Sequence, residues 1–286
     1  MVVNRANTII DEYLAQGFRL TLRQLFYQFV ARDYIENTIR QYKTLGRIIR
    51  NARDGGLINW DAIEDRTREV RNHVFWDDPA NRIRSAARLY REDLWANQLY
   101  RPEVWIEKDA LLNVIGGICT EYRVPYFAHR GNNSQTLQYQ AGKRFAEYLN
   151  QGLTPVVLHL ADHDPNGVDM TRDNRKRLRL YARAEVEVRR IALTMEQVRQ
   201  YNPPPSFAKE KDKRFPAYVR EFGTRECWEL DALSPTVIAD LIRTEVEALI
   251  EPGTWRKAQV SEQRGRKLLD AVAGNWSMVE KLLAKR

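Results

Sequence analysis

The chain has 286 residues, 43% of them hydrophobic and 29% charged, enough for one large core or two and too apolar for general disorder. No stretch reaches the roughly 18 uncharged apolar residues of a membrane span; Ala110 to Thr120 comes nearest, and Arg5, Asp11 and Glu12 interrupt what a signal peptide keeps apolar. Lysine and arginine number 46 against 38 acids, a net charge of +8 that favours a polyanionic partner, nucleic acid above all.

Cys119 and Cys227 stand far apart, and His73, His129, His159 and His163 form no metal-ligand spacing. A zinc site is not expected, and a reducing, cytoplasmic setting is.

Residues 1 to about 75 read as mainly helical. Ile9, Ile10, Tyr13 and Leu14 recur at helical spacing, Thr21 to Ala31 is a second amphipathic run, and Asn37 or Thr38 caps a third helix reaching Ala52. Asp54-Gly55-Gly56 stops it, and Leu57 to Trp60 reads as a short strand or wing, the outline of a winged helix-turn-helix. A break at Trp76 to Asn81 precedes a connecting helix over Arg82 to Leu99, ended by Arg101-Pro102.

Strands and helices then alternate. Strands are expected at Glu103–Glu107, Val124–His129, Pro155–Ala161 and Val186–Leu193, with helices at Ala110–Thr120, Ser134–Leu149 and Val168–Ala182. That order implies a parallel α/β sheet with helices on both faces. Asn202 to Pro216 is a Pro-rich loop holding Lys209, Lys211, Lys213 and Arg214; its proline triplet forbids helix. Cys227 to Leu233 reads as a last strand or loop, and helices run from Pro235 to the end. The expected divisions are 1–80, a connecting helix 81–101, an α/β domain 102–233 and a helical region 234–286.

Three constellations carry chemistry. Glu107 ends the first strand of the α/β region, and Asp162 and Asp164 end the third, in Asp-x-Asp-Pro-x-Gly. Carboxyl ends of neighbouring parallel strands converge on one crevice. Three carboxylates there repel unless a cation lies among them, and all-oxygen ligation suits Mg²⁺ or Mn²⁺. The bland alternative is a set of loop acids capping helices. The second constellation is Thr21-Leu-Arg23-Gln-Leu-Phe-Tyr27, with Arg23 and Tyr27 one turn apart on a helix. The third is Arg40, Lys43, Arg47, Arg50 and Arg53, one basic side of a helix with no acid between its ends, suited to phosphates or the major groove. Arg172, Arg175, Lys176, Arg177 and Arg179 extend the basic track, and Lys209 to Arg214 add to it.

Glu107 followed by the Asp162-x-Asp164-Pro-x-Gly turn resembles the Toprim domain. Together with the upstream Thr-x-Arg-x-x-x-Tyr segment it is similar to the topoisomerase VI A subunit and the meiotic double-strand-break proteins, in a compact stand-alone form. The resemblance covers roughly residues 15 to 235. It implies a winged-helix domain whose Tyr27 attacks DNA to form a 5′-phosphotyrosyl link, Arg23 beside it, and a Toprim metal at Glu107, Asp162 and Asp164. Glu229 and Asp231 look like the fold's late acidic strand, supporting the site. The resemblance also implies double-stranded DNA as substrate, a homodimer that pairs the tyrosine of one protomer with the metal of the other, nucleoid association and a possible separate ATPase partner. No P-loop or GxGxxG is present, so ATP-driven strand passage by this chain alone is not expected. Open beside this reading stand a Toprim nuclease using metal-activated water, a non-catalytic DNA-binding subunit of a larger complex, and RNA or primer processing.

Overall fold

The computed structural model describes residues 1–64, 75–129, 135–206 and 210–284; His73 and Lys209 lie outside them. The chain divides into two compact units, Met1–Arg66 with Tyr100–Leu249, and Thr67–Leu99 with Ile250–Arg286.

The first unit opens with helix α1 (Val2–Ala15), which buries Ala6, Ile9, Ile10 and Tyr13 at helical spacing. The two-residue strand β1 (Leu20–Thr21) leads into helix α2 (Leu22–Ala31), started by a capping box between Thr21 and Gln24. Helix α3 (Ile39–Asp54) begins on the side chain of Thr38, which accepts from the Gln41 amide. Leu25, Phe26, Tyr27 and Phe29 of α2 share one core with Leu45 and Ile49 of α3 and with α1.

The strand expected over Leu57 to Trp60 is instead a turn entering a 3₁₀ helix at Trp60–Ala62, and the strand comes later, as β2 (Ile63–Glu64). Asn59 Oδ1 accepts from the Asp61 amide, and Arg53 Nη2 donates to the carbonyls of Trp60 and Ile63. Local side-chain bonds take the groups that a wing strand would have placed in a ladder. β2 pairs in parallel with β1.

In the second unit, helix α4 (Pro79–Leu89) starts on Asp78 with Pro79 in its first turn. It ends ten residues before the expected Leu99. Asp93 accepts from the Trp95 amide and closes a local turn, and Trp95 and Gln98 are buried there.

The sheet of the first unit comprises β3 (Tyr100–Ile106), β4 (Tyr126–Ala128), β5 (Thr154–Leu160) and β6 (Glu187–Ala192), all parallel in the order β4-β3-β5-β6. β3 starts three residues before the expected Glu103. Pro102 is tolerated because β4 pairs with β3 only from Val104 onward. Helices α5 (Leu112–Glu121), α6 (Gln135–Asn150) and α7 (Pro165–Ala182) connect the strands. Phe145 of α6 and Leu178 of α7 pack on Trp105, Val157 and Val188 of the sheet.

After β6 come α8 (Met195–Tyr201), behind a Thr194–Gln197 capping box, α9 (Phe215–Phe222) and α10 (Pro235–Glu247). The Cys227–Leu233 stretch forms two isolated antiparallel bridges, His163 to Trp228 and Ser206 to Cys227, then a 3₁₀ turn at Leu230–Ala232. Helices α11 (Pro252–Gly274) and α12 (Trp276–Leu283) complete the second unit, where α11 packs on α4. A Cβ on Gly265 of α11 would stand 2.4 Å from the Tyr90 ring, so only glycine admits that approach.

Candidate functional site

The chain order of the sheet reverses between β3 and β5, and the crevice at the carboxyl ends of two such strands is where open α/β sheets place ligands. Glu107 is the first residue after β3, and Asp162 and Asp164 follow β5 by two and four positions. All three are buried. Glu107 Oε2 accepts from the Asp162 amide at 3.0 Å, and Asp162 Oδ1 accepts from the Leu230 amide at 2.8 Å. Asp164 Oδ1 caps α7 through the Gly167 amide at 2.8 Å. Gly167 is required: its Cβ would fall 2.1 Å from the Asp162 carbonyl oxygen.

Two cations absent from the expected set organise these acids. Lys108 Nζ lies 3.2 Å from Asp162 Oδ1, 2.9 Å from Glu229 Oε2 and 2.6 Å from Asp231 Oδ2. Arg190, from β6, donates Nη2 to the Asp162 carbonyl at 2.6 Å and Nη1 to the Gly167 carbonyl at 2.7 Å. Both sit at sequence positions that announce nothing: Lys108 merely follows Glu107, and Arg190 is one of many arginines. Ser206 is a third addition, its Oγ donating to Glu229 Oε1 at 3.0 Å.

Charge balance fixes the proton affinities. Burial pushes the Asp162 carboxyl up to about 7, Lys108 opposing it and Glu107 and Asp164 adding to it. Burial would also raise Glu229, but Lys108 and Arg23 outweigh it and hold that carboxyl below its ordinary value. Lys108 is held well above the ordinary lysine value, since Asp162, Asp231 and Glu229 outweigh its burial.

Arg23 of α2 reaches the same cluster. Its Nε donates to Glu229 Oε2 at 3.0 Å and its Nη2 binds Glu229 Oε1, a bidentate pair. The guanidinium lies 5.5 Å from the Tyr27 ring centroid and 5.1 Å from that of Tyr42. Tyr27 is 1% exposed and its hydroxyl makes no hydrogen bond of standard geometry among the described residues. Burial and Glu229 raise its proton affinity, against the pull of Arg23.

Of the basic helix face, Arg40, Lys43, Arg47 and Arg50 are exposed and have no acid partner among the described residues. Arg53 leaves that face: it is buried and binds backbone carbonyls. The basic run on α7 is largely paired internally, Arg172 with Asp169, Arg177 with Asp173 and Arg179 with Glu185.

Among the described residues no three His, Cys, Asp or Glu side chains stand grouped to hold a metal ion, and the Lys108 ammonium lies between the carboxylates. The donor chemistry nevertheless suits a hard divalent cation. Fully ionised, five carboxylates (Glu107, Asp162, Asp164, Glu229, Asp231) against three cations (Lys108, Arg190, Arg23) leave two negative charges over, which Asp162 relieves in part by holding a proton up to about pH 7. The buried Asp231 Oδ1 is also without a hydrogen-bond partner. Comparison with protein-family models, curated proteins and solved structures gives no match to this chain.

Proposed function

We propose that the chain binds double-stranded DNA through the exposed face of α3 and breaks phosphodiester bonds at the acidic crevice with the help of Mg²⁺ or Mn²⁺. In this reading residues 1–80 act as a winged-helix module, the sheet as a Toprim domain, and the protein as a compact relative of the topoisomerase VI A subunit working as a homodimer in the nucleoid. The observation that carries it is the position of Glu229, which binds Arg23 on the tyrosine's helix and Lys108 in the acid cluster at once. The guanidinium beside Tyr27 and the ammonium among the acids therefore belong to one network.

Glu107, Asp162 and Asp164 would hold the ion, with Asp231 and Glu229 in support. Bound there, it would offset charge on the attacked phosphate and favour the deprotonated nucleophile. Tyr27 supplies that nucleophile: its oxygen bonds to phosphorus, the 3′ oxygen leaves and takes a proton, and the phenol's proton departs to solvent or a nearby carboxylate. Arg23, one turn away, stabilises the pentavalent phosphate.

One observation favours a second reading. Tyr27 is buried with raised proton affinity, which suits a packing residue and leaves attack to a metal-activated water. Incubation with supercoiled plasmid and Mg²⁺ or Mn²⁺, then denaturation, separates the two. Protein joined covalently to 5′ ends, lost in Tyr27→Phe, supports the tyrosine; undiminished cutting by that variant assigns the step to water. No cutting by the parent chain, with tight salt-sensitive duplex binding, leaves a DNA-binding subunit.

A further inference from the structure

Behind the Asp162–Asp164 turn, on its α7 side, lies a cavity of about 550 Å³ bounded by α7, β6, the start of α8 and α9. That volume is within the range of small-molecule sites. Four guanidiniums line it, Arg172, Arg175, Arg190 and Arg214, against two carboxylates, Asp169 and Glu221.

The four arginines are not equivalent. Arg172 and Arg214 share Asp169 at 2.5 and 3.3 Å, so that carboxylate is spent within the wall. Among the described residues Arg175 donates Nε and Nη2 to the Val188 carbonyl alone, at 3.1 and 2.9 Å, which fixes its plane and leaves Nη1 for another acceptor. Arg190 spends its donors on the carbonyls of Ala161, Asp162, Gly167 and Leu193 and on Thr171 Oγ1. Among the described residues, both guanidiniums are thus held by hydrogen bonds to neutral acceptors, Arg190 standing besides in the field of the acid cluster. Their orientation is set before any ligand arrives, which lowers the cost of binding an anion.

The remaining wall is largely aromatic and apolar. Tyr218 and Phe222 of α9 lie 5.0 Å apart between ring centroids, His163 is 4.6 Å from Phe222, and Val168 and Met195 close the sides. A bare inorganic anion has no use for such a wall, whereas a planar heterocycle stacks on it.

We propose that this cavity binds a nucleoside monophosphate, its phosphate on Arg175 in the field of Arg190 and its base against Tyr218 and Phe222. Through Arg190 the ligand would share a residue with the backbone of the Asp162 turn, yet the proposal stands whether or not the chain cuts DNA.

Isothermal titration of the full-length protein with AMP, adenosine and inorganic phosphate tests it. AMP should bind about tenfold tighter than either fragment. Arg175→Gln should weaken AMP about tenfold, and Ala217→Trp, which fills the cavity, should abolish the heat. Arg47→Glu, on the exposed face of α3, should leave AMP binding unchanged. Circular dichroism checks that each variant folds, and Arg175→Gln decides the matter where Ala217→Trp does not. No heat with AMP, phosphate or adenosine binding as tightly as AMP, or a loss confined to Arg47→Glu, each overturns the proposal.

Discussion

Lys108 is the residue on which the acid cluster depends, since one ammonium answers three carboxylates within 3.2 Å. Removing it strands buried negative charge, which costs about 3 kcal/mol or more. Lys108→Met should therefore lower the thermal midpoint markedly without divalent ions. If the cluster takes Mg²⁺, added MgCl₂ should restore that midpoint and raise the variant's far more than the parent's; an equal or absent shift in scanning calorimetry would remove the ion from the proposal. Tyr27→Phe runs the other way. The hydroxyl it deletes is buried without a standard hydrogen bond, so stability should hold or rise by about 1 kcal/mol, and a fall beyond that would reveal a bond to Ser206 or Arg23. At this scale the acids were legible, because Glu107, Asp162 and Asp164 fall at strand ends that an apolar run makes visible. Lys108, Arg190 and Ser206 were not: Lys108 and Ser206 are selected by the return of residues 227–233 to the Asp162 turn, and Arg190 by the pairing of β6 beside β5, long-range contacts that no local spacing encodes.

Helix α3 separates two kinds of arginine that share one sequence periodicity. Arg47 and Arg50 are exposed, while Arg53 binds the Trp60 and Ile63 carbonyls. Arg47→Glu with Arg50→Glu should weaken duplex binding for all sequences and flatten the dependence of log K on log salt by about two. Arg53→Ala should instead lower stability by about 1–3 kcal/mol for the carbonyls left unpaired, read as a lower thermal midpoint, with the salt slope kept. Fluorescence anisotropy across a salt series distinguishes them, and a sequence-selective loss in the double variant would mean that α3 reads bases. Element type was legible where burial is continuous: the Pro155–Ala161 run reads as an interior strand, and Thr38 marks the start of α3, whereas the Met195–Tyr201 helix and the Pro79 start of α4 were not expected. Boundaries failed where one side chain decides. The α4 pattern fits a helix to Leu99, but the Asp93 turn ends it, and the Leu57–Trp60 strand yields to Asn59 and Arg53.

At the scale of the molecule, three buried histidines set the response to acid. His129, His159 and His163 all belong to the unit that holds the sheet. Burial lowers His129 to about 3 and, with help from Arg190, His163 to about 4; His159 is likewise held well below its ordinary value. Between those values and the unfolded value near 6.5, the unfolded chain binds protons that the folded chain refuses, so stability falls as pH falls. Asp162 opposes this, because its folded value near 7 lies above the unfolded carboxyl, and its share of stability is lost as pH rises through that window. Three groups against one leave up to two protons net, about 3 kcal/mol per pH unit at the steepest. Glu229, held below its ordinary value, adds to the loss at the acid end. Urea midpoints should therefore drop between about pH 6.5 and about pH 4, and a flat or rising profile would show that the histidines are not buried neutral. His129 offers the sharper check, since neither ring nitrogen has a hydrogen-bond partner among the described residues. His129→Leu should raise the midpoint at neutral pH and shed about one proton, or about 1.4 kcal/mol per pH unit, from the acid slope.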